Sequence, residues 1–387
     1  MENAIRIFDD LELYRSSSGS IIGSASRLDR YPVHVTSREH DALDHVVQEI
    51  DDRRVALVSD DTVGMLHAGE LAARLVDRGL RVDMRTFPAG EGSKSVGTAI
   101  ALLDWLADTA LARRDVILAV GGGVVIDTVG WVASAYMRGV PYINVPTTLL
   151  GQVDAALGGK VAVDHSSAKN LIGAFYQPKA VVSHVGYLKT LDARQLRAGL
   201  AEAIKKGIIA SPTLFGFIEE HRDDILGTDP RVLETLVRGA SNVKCELIAR
   251  DPYEIDLRRP LNFGHTVGHA VETVTGYGPI LHGEAVAFGM AVAADIARRR
   301  EALDGEVYVR ILRLLEDVGL PVRVEDFAVP VGADDVVAAL DKIRKIRDGR
   351  LRFVLPARLG ETLVVDDVTD DEIRAAVADP RRTGATL

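Results

Sequence analysis

The sequence predicts an α/β protein, with a parallel sheet flanked by helices in its first half and a mostly α-helical second half. Three observations point there. Short apolar runs alternate with helically spaced stretches between residues 53 and 146, the order that builds a parallel sheet from crossover units. From about Leu188 the spacing turns almost wholly helical. A 47% hydrophobic share over 387 residues is ample for a large core without covalent staples.

Taken in order, RRVALVSD (53–60) is a short apolar run ending in an acid, and reads as a buried strand. Residues 64–79 have helical spacing, LRVDMRTF (80–87) reads as a second strand, and 95–110 as a helix. DVILAV (115–120) is continuously apolar and runs into Gly121-Gly122-Gly123. Residues 124–136 suit a helix with small residues on one side, and YINVP (142–146) a further strand. Later, helical spacing covers 192–209, 213–225, 230–250, 262–275, 283–302, 305–318, 333–344 and 370–378. LRFVLP (351–356) and ETLVV (361–365) suit a small hairpin. The expected division is residues 1–187 and 188–387, and the first thirty residues carry no clear signal.

Composition disfavours several functions. Forty-six basic against fifty-six acidic side chains give a net charge of −10, which argues against nonspecific nucleic-acid binding. One cysteine, Cys245, allows no internal disulfide and fits a reducing compartment. The start, MENAIRIFDDLELYRSSSGS, lacks the basic-then-apolar order of a secretory signal. No run approaches the ~18 apolar residues of a membrane span, so a cytoplasmic protein without membrane contact is expected. Only ten of the basic residues are lysines. Where arginine carries the general surface charge, lysine is kept for places that need a compact ammonium.

Strand 115–120, the glycine run and the following helix form a nucleotide-binding arrangement. Glycines let backbone N–H groups approach a pyrophosphate, and a helix N-terminus favours its charge. The G-x-G-x-x-G spelling is absent, and a glycine run alone is equally a tight turn. Asp60 ends the first strand, where an acid accepts from a ribose hydroxyl. GEGSK (90–94) adds Glu91 and Lys94 after the second strand. QVDAALGGK holds Asp154 and Lys160, with Lys169-Asn170 following. Two ammonium groups and an amide suit a phosphate or other polyanion, and equally a solvated loop. In the helical half Glu202 lies in GLAEAIKKG, His265 and His269 in NFGHTVGHAVE, and His282 in LHGEA. The first two histidines are four apart and share a helix face. They either clamp one metal or send one imidazole to a metal and the other to a substrate. Two histidines and a carboxylate with an open position make a catalytic zinc site, and the absence of HExxH disfavours a metalloprotease. Lys205, Lys244, Arg258, Asn262 and Lys345 are further polar candidates, joined most simply by an anionic substrate held beside a divalent cation.

These stretches resemble the 3-dehydroquinate synthases and the wider sugar phosphate cyclase family. The likeness runs from about Tyr31 to Val365, strongest in AVGGGVVID, VPTTLLGQVDAALGGK, KNLIGAFYQP, GLAEAIKKG, LNFGHTVGHAVE, LHGEAVAFGM and LRFVLP. It implies a Rossmann-like NAD domain, a helical metal domain and an active site in the cleft between them. By motif match, Glu202, His265 and His282 hold zinc, with cobalt as a substitute. Asp60, Glu91, Lys94, Gly122, Gly123, Asp127, Thr147, Thr148 and Lys169 lie around NAD. Asp154, Lys160, Lys205 and His269 are catalytic. Asn170, Lys244, Arg258, Asn262 and Lys345 bind substrate. A homodimer is implied, in which Arg138 of AYMRG reaches the neighbour's substrate phosphate. The implied enzyme is a phosphate-eliminating carbon–oxygen lyase. A substrate hydroxyl is oxidised by NAD beside zinc, phosphate leaves by elimination, the ketone is reduced again, and an intramolecular aldol closes the ring.

Retention of Arg258, Asn262 and His269, with Lys244, favours a substrate bearing a carboxylate, a 3-deoxy-arabino-heptulosonate 7-phosphate type of keto acid. Ile126, Val161, Asp164, Ala168, Lys206 and Arg344 depart from the usual synthase pattern. They leave a natural-product cyclase as the alternative, acting on sedoheptulose 7-phosphate, another sugar phosphate or the amino analogue. A metal-dependent polyol dehydrogenase and a noncatalytic sugar-phosphate-binding paralogue are more distant alternatives.

Overall fold

The structure, a computed structural model, describes residues 30–165, 168–251, 253, 259–276, 278–346 and 351–379, with only the backbone at 342, 343, 345 and 346. The first half holds β1 (Val33–Thr36), α1 (Glu39–Ile50), β2 (Val55–Asp60) and α2 (Asp61–Val63). A π turn, Gly64–Ala68, joins α2 to α3 (Gly69–Asp77). Then come β3 (Val82–Phe87), α4 (Val96–Asp108), β4 (Val116–Gly121), α5 (Gly123–Ala135) and β5 (Tyr142–Pro146). Strands β6 (Lys160–His165), β7 (Ala168–Phe175) and β8 (Ala180–His184) follow.

Six strands pair in the order β1-β8-β5-β4-β2-β3, all parallel. Alternation along each strand divides the apolar side chains between two layers. Val55, Leu57, Val116 and Leu118 pack with α1 and α3 through Leu43, Val46, Leu71 and Leu75. Ala56, Val58, Ile117 and Ala119 pack with α4 and α5 through Leu102, Leu106, Val129 and Val132. Covered on both faces, β2 and β4 need the continuous apolar runs they have.

Spacing alone did not reveal β1, α1, β6, β7 or β8. The segment around Lys160 and Lys169, open to reading as a solvated loop, is an antiparallel ribbon in which Lys160 pairs with Phe175 and Val163 with Ile172. It lies on α5, where a Cβ at Gly130 would come within 2.3 Å of Val161.

The second half holds α6 (Ala193–Ala210), α7 (Pro212–Glu220), α8 (Arg222–Leu226), α9 (Pro230–Arg250), α10 (His265–Val274) and α11 (His282–Arg299). It continues with α12 (Gly305–Asp317), α13 (Ala333–Ile346), the hairpin β9 (Phe353–Arg358) and β10 (Glu361–Val365), and α14 (Asp370–Val377). The helix expected over 262–275 starts only at His265, because Gly264 before it is left-handed at φ +79°. The run over 213–225 divides at His221. Helix α11 is buried on every side from Ala285 to Ala297, as a central helix must be. The large helical core also takes in Val35, Leu149 and Val153 from the sheet half. Among the described residues no helix is long and apolar enough to cross a membrane.

Candidate active site

Strand β2 is followed in the chain by β3 on one side of it and by β4 on the other. Such a reversal opens a crevice at the carboxyl ends of the strands, where open α/β sheets bind ligands. Asp60 ends β2, and its Oδ1 accepts from the Val63 N–H at 2.9 Å, capping α2. Gly121 ends β4, Gly122 is the N-cap of α5 and Gly123 its first residue. A Cβ on Gly121 would lie 2.5 Å from Val125, and one on Gly122 3.0 Å from Thr148, so the turn needs residues without side chains. After β5, Thr147 N–H donates to Gly121 O at 3.0 Å and Thr148 Oγ1 accepts from Gly151 N–H at 3.0 Å. The α5 N-terminus therefore offers the helix end that favours a pyrophosphate. Lys94 is buried and donates to Asp127 Oδ2 at 2.5 Å and to Asn170 Oδ1. Burial acts to lower its pKa, but Asp127 prevails and the net shift is upward. Glu91 pairs with Lys169 at 3.0 Å.

Beyond the crevice, five charged groups meet in the interior. On α6, Glu202 and Lys206 are wholly buried and Lys205 nearly so; Lys244, on α9, is buried too. Lys205 Nζ lies 2.6 Å from Glu202 Oε2, and Lys206 Nζ 3.4 Å from the same oxygen. Lys206 and Lys244 each lie 2.9 Å from Asp154 Oδ1, and Lys244 also donates to Asp154 O at 2.9 Å. Burial alone would raise the Asp154 pKa, yet Lys206 and Lys244 hold it well below the usual carboxylate range. Burial lowers the pKa of Lys205 and of Lys244 despite their carboxylate partners. Three ammonium groups thus face two carboxylates, an excess of positive charge suited to an anionic ligand.

Glu202 Oε1 is buried and, among the described residues, accepts no hydrogen bond. It faces His265 Nε2 at 3.6 Å and His282 Nε2 at 3.9 Å. His265 Nδ1 lies 3.1 Å from Phe263 O and His282 Nδ1 3.2 Å from Glu272 Oε2. These contacts give each Nδ1 an acceptor and turn both Nε2 atoms toward the carboxylate oxygen. Against the effect of burial, Glu272 and Glu202 raise the His282 pKa. Burial first, then Lys205, holds the His265 pKa well below normal, favouring the neutral imidazole. Three acceptors within 4.8 Å of one another repel unless a cation lies among them. The donor set suits tetrahedral zinc with one position open. His269, Glu272 and His282 form a second trio. It is the outer support of the first, since His282 turns Nδ1 to Glu272 and Nε2 to Glu202.

The remaining candidates fall around this centre. His269 is exposed, its ring 5.2 Å from that of His265 and 5.9 Å from that of His282. Asn262 is half-buried in the turn before α10. Lys160 opens the ribbon with an exposed side chain. Asn170, expected at the substrate, is turned to the crevice side by its bond with Lys94. Arg138 is exposed beyond the far end of α5, roughly 20 Å from the glycine turn by helix rise. It and Met137 have left-handed φ values of +65° and +49°. Arg258 lies outside the described residues, as does the side chain of Lys345 on α13.

Glu272 and Lys206 had no assigned role from sequence. Glu272 follows His265 by seven positions and His269 by three, a spacing that marks the same helix face. Lys206 follows Glu202 by four. Of the other departures, Ile126 is core, packed with Leu157 and Ile248. Asp164 Oδ1 accepts from Asn170 N–H at 2.7 Å. Arg344 ties α13 to α14 through Asp341 and Asp370 at 2.6 and 2.7 Å. Nothing in the structure explains Ala168.

The fold and this site define a class, the sugar phosphate cyclases. The solved structure of 2-epi-5-epi-valiolone synthase from Streptomyces hygroscopicus, with NAD+ and Zn2+ bound, matches with a TM-score of 0.84 at 33% identity, covering 92% of this chain and 98% of that one. The family descriptions 3-dehydroquinate synthase N-terminal and C-terminal match residues 84–198 and 199–346. A 2-epi-valiolone synthase of Actinosynnema mirum is 58% identical over 352 residues, 91% of this chain and 92% of that protein. A 3-dehydroquinate synthase of Desulforamulus reducens is 42% identical over 349 residues, 90% and 96% of the two chains. This chain belongs to the 3-dehydroquinate synthase family of sugar phosphate cyclases.

Proposed function

We propose that this chain is an NAD- and zinc-dependent cyclase acting on sedoheptulose 7-phosphate, the natural-product alternative rather than the keto-acid reading. The product is a seven-carbon cyclic ketone plus inorganic phosphate, with no net redox change. The observation that carries the substrate is the 58% identity to a 2-epi-valiolone synthase across nine-tenths of the chain, against 42% to 3-dehydroquinate synthases. The keto-acid reading rested on Arg258, Asn262 and His269 together with Lys244, and Arg258 lies outside the described residues. The Lys244 ammonium is held by Asp154 through two contacts of 2.9 Å.

Bound NAD supplies reversible hydride removal, and zinc on Glu202, His265 and His282 supplies Lewis acidity toward a substrate hydroxyl. The chain's own groups do the rest. Asp60 orients the ribose and the α5 N-terminus faces the pyrophosphate, with Glu91, Lys94, Asp127, Thr147, Thr148 and Lys169 shaping the crevice. Lys205, Lys206 and Lys244 stabilise negative charge on the reacting oxygens, and Asp154 fixes two of them. His269 moves a proton at the leaving phosphate or the ring hydroxyls. Lys160, Asn262, Arg258 and Lys345 bind the remaining phosphate and hydroxyl groups, and Asn170, held by Lys94, borders the crevice. The strained, exposed Arg138, far from its own crevice, serves the neighbouring subunit of a homodimer.

The test is phosphate release by the zinc-loaded protein with NAD+, while NADH absorbance is followed. Sedoheptulose 7-phosphate should release phosphate without NADH accumulating, and 3-deoxy-arabino-heptulosonate 7-phosphate, its amino analogue and glucose 6-phosphate should not. Release only from the keto acid would restore the carboxylate reading, and NADH accumulation without phosphate would make the chain a dehydrogenase.

A further inference from the structure

A line of charged groups runs from the dinucleotide crevice to the metal ligands. Glu91, in the loop after β3, pairs with Lys169 Nζ at 3.0 Å. The same ammonium lies 3.8 Å from Glu272 Oε1 on α10. The other oxygen of that carboxylate is 3.2 Å from His282 Nδ1. Glu272 is only 5% exposed, and a buried carboxylate persists where charged or donor partners meet it. Here one partner comes from the ribbon and one from the metal site.

The ribbon end that carries Lys169 is itself fastened to the crevice. Asp164 N–H donates to Lys94 O at 2.8 Å, and Asn170 N–H donates to Asp164 Oδ1 at 2.7 Å. Lys94 in turn donates to Asn170 Oδ1 and to Asp127. Asn170, next to Lys169, is held at φ +55°, a left-handed backbone that needs such outside support. Lys169 therefore cannot shift without disturbing the loop that holds Glu91 and Lys94.

We propose that Lys169 and Glu272 are positioning residues that couple the two sites, so that metal and dinucleotide each tighten the other's binding. The proposal rests on the assignment of NAD and a divalent cation made above. A cation at His282 Nε2 strengthens Nδ1–H as a donor and fixes Glu272. Glu272 then holds Lys169, and Lys169 holds Glu91 and its loop in place for the dinucleotide. Linkage makes the effect equal in both directions.

The test is binding, not turnover. NAD+ affinity is measured by titration calorimetry on chelator-stripped and zinc-loaded protein, and zinc affinity by chelator competition with and without NAD+. In the unaltered protein each ligand should tighten the other by the same factor, about fivefold or more. Glu272→Gln keeps an acceptor for His282 but no charge for Lys169. It should bring that factor to about one while zinc affinity stays within a few-fold. Lys169→Met, on the surface ribbon, should do the same, and the double variant should add nothing. Glu272→Leu, which also removes the acceptor, should lower zinc affinity about 10- to 100-fold. A factor of one in the unaltered protein, or an unchanged factor in both single variants, overturns the coupling and leaves the site assignment standing. Failure of the unaltered protein to bind zinc or NAD+ overturns both.

Discussion

Gly283→Ala is the substitution that most directly challenges how the metal site is built. Gly283 follows His282 at the start of α11, and a Cβ there would lie 1.8 Å from Ala198 O on α6. That carbonyl is the helical acceptor for the Glu202 N–H. The substitution therefore wedges apart the two helices that carry His282 and Glu202. Reaching even the 3.0 Å that real Cβ atoms keep needs a separation of about 1.2 Å, since the packed backbones leave no void to absorb it. The tolerance of a metal–ligand distance is about 0.2 Å. The expected result is a loss of zinc affinity of at least about tenfold, and about 1–3 kcal/mol of stability. Chelator competition reads the first and urea denaturation the second. Gly216→Ala, within α7 with nothing within 4 Å of its Cβ, is the control and should gain about 0.5–1 kcal/mol. Unaltered zinc affinity and stability in Gly283→Ala would refute the reasoning.

Three further outcomes are expected. Asp154→Ala removes the carboxylate 2.9 Å from both Lys206 and Lys244, which strips the buried Lys244 of its ion-pair partner and leaves Lys206 only Glu202 at 3.4 Å. It should cost about 3–5 kcal/mol by urea midpoint. The Glu372 carboxyl is pulled down to about 2 from 4.5, chiefly by its hydrogen bonds with Arg300. A carboxyl whose folded pKa is depressed stabilises fully above its unfolded value and loses that contribution as pH falls toward the folded one. Stability should therefore fall from pH 4.5 toward about 2, less steeply in Glu372→Gln, as denaturation across that window will show. Finally, Arg138→Ala and Lys205→Ala should each be inactive alone. Mixed dimers should regain activity, because one of the two sites then has both residues; no recovery would place Arg138 outside the partner's site.

What spacing revealed and what it hid have the same physical origin. Strands β2, β4 and β5 are covered on both faces, so each is an apolar run that stands out from its flanks, while the edge strand β3, VDMRTF, shows itself by its alternation. The ribbon has one open face, and β7 runs AKNLIGAF with alternate residues exposed, which resembles a loop until β6 is seen beside it. β8 is only five residues long and owes its place to β1 and β5 on either side. A metal site was suggested by the cluster of His265, His269 and His282, but the trio of Glu202, His265 and His282 came from the family resemblance, since spacing alone left open which histidines face a metal. The role of Lys206 was not visible, because it depends on Asp154, fifty-two positions earlier. Glu272 was written in the helix periodicity, but only the ring orientation of His282 shows which nitrogen it serves.

The three candidate metal ligands, Glu202, His265 and His282, sit on helices in backbone contact. Gly283 meets Ala198, and a Cβ on Gly289 would fall 1.9 Å from Gly264 O, just before His265. Close backbone packing of this kind means that displacing one helix displaces the others. The ribbon differs in its side chains rather than its backbone: it too is closely packed, with a Cβ on Gly173 falling 2.8 Å from Val161 O, but Lys160, Asn170 and Leu171 are exposed. Redesign of substrate range should therefore leave the close contacts of α6, α10 and α11 untouched.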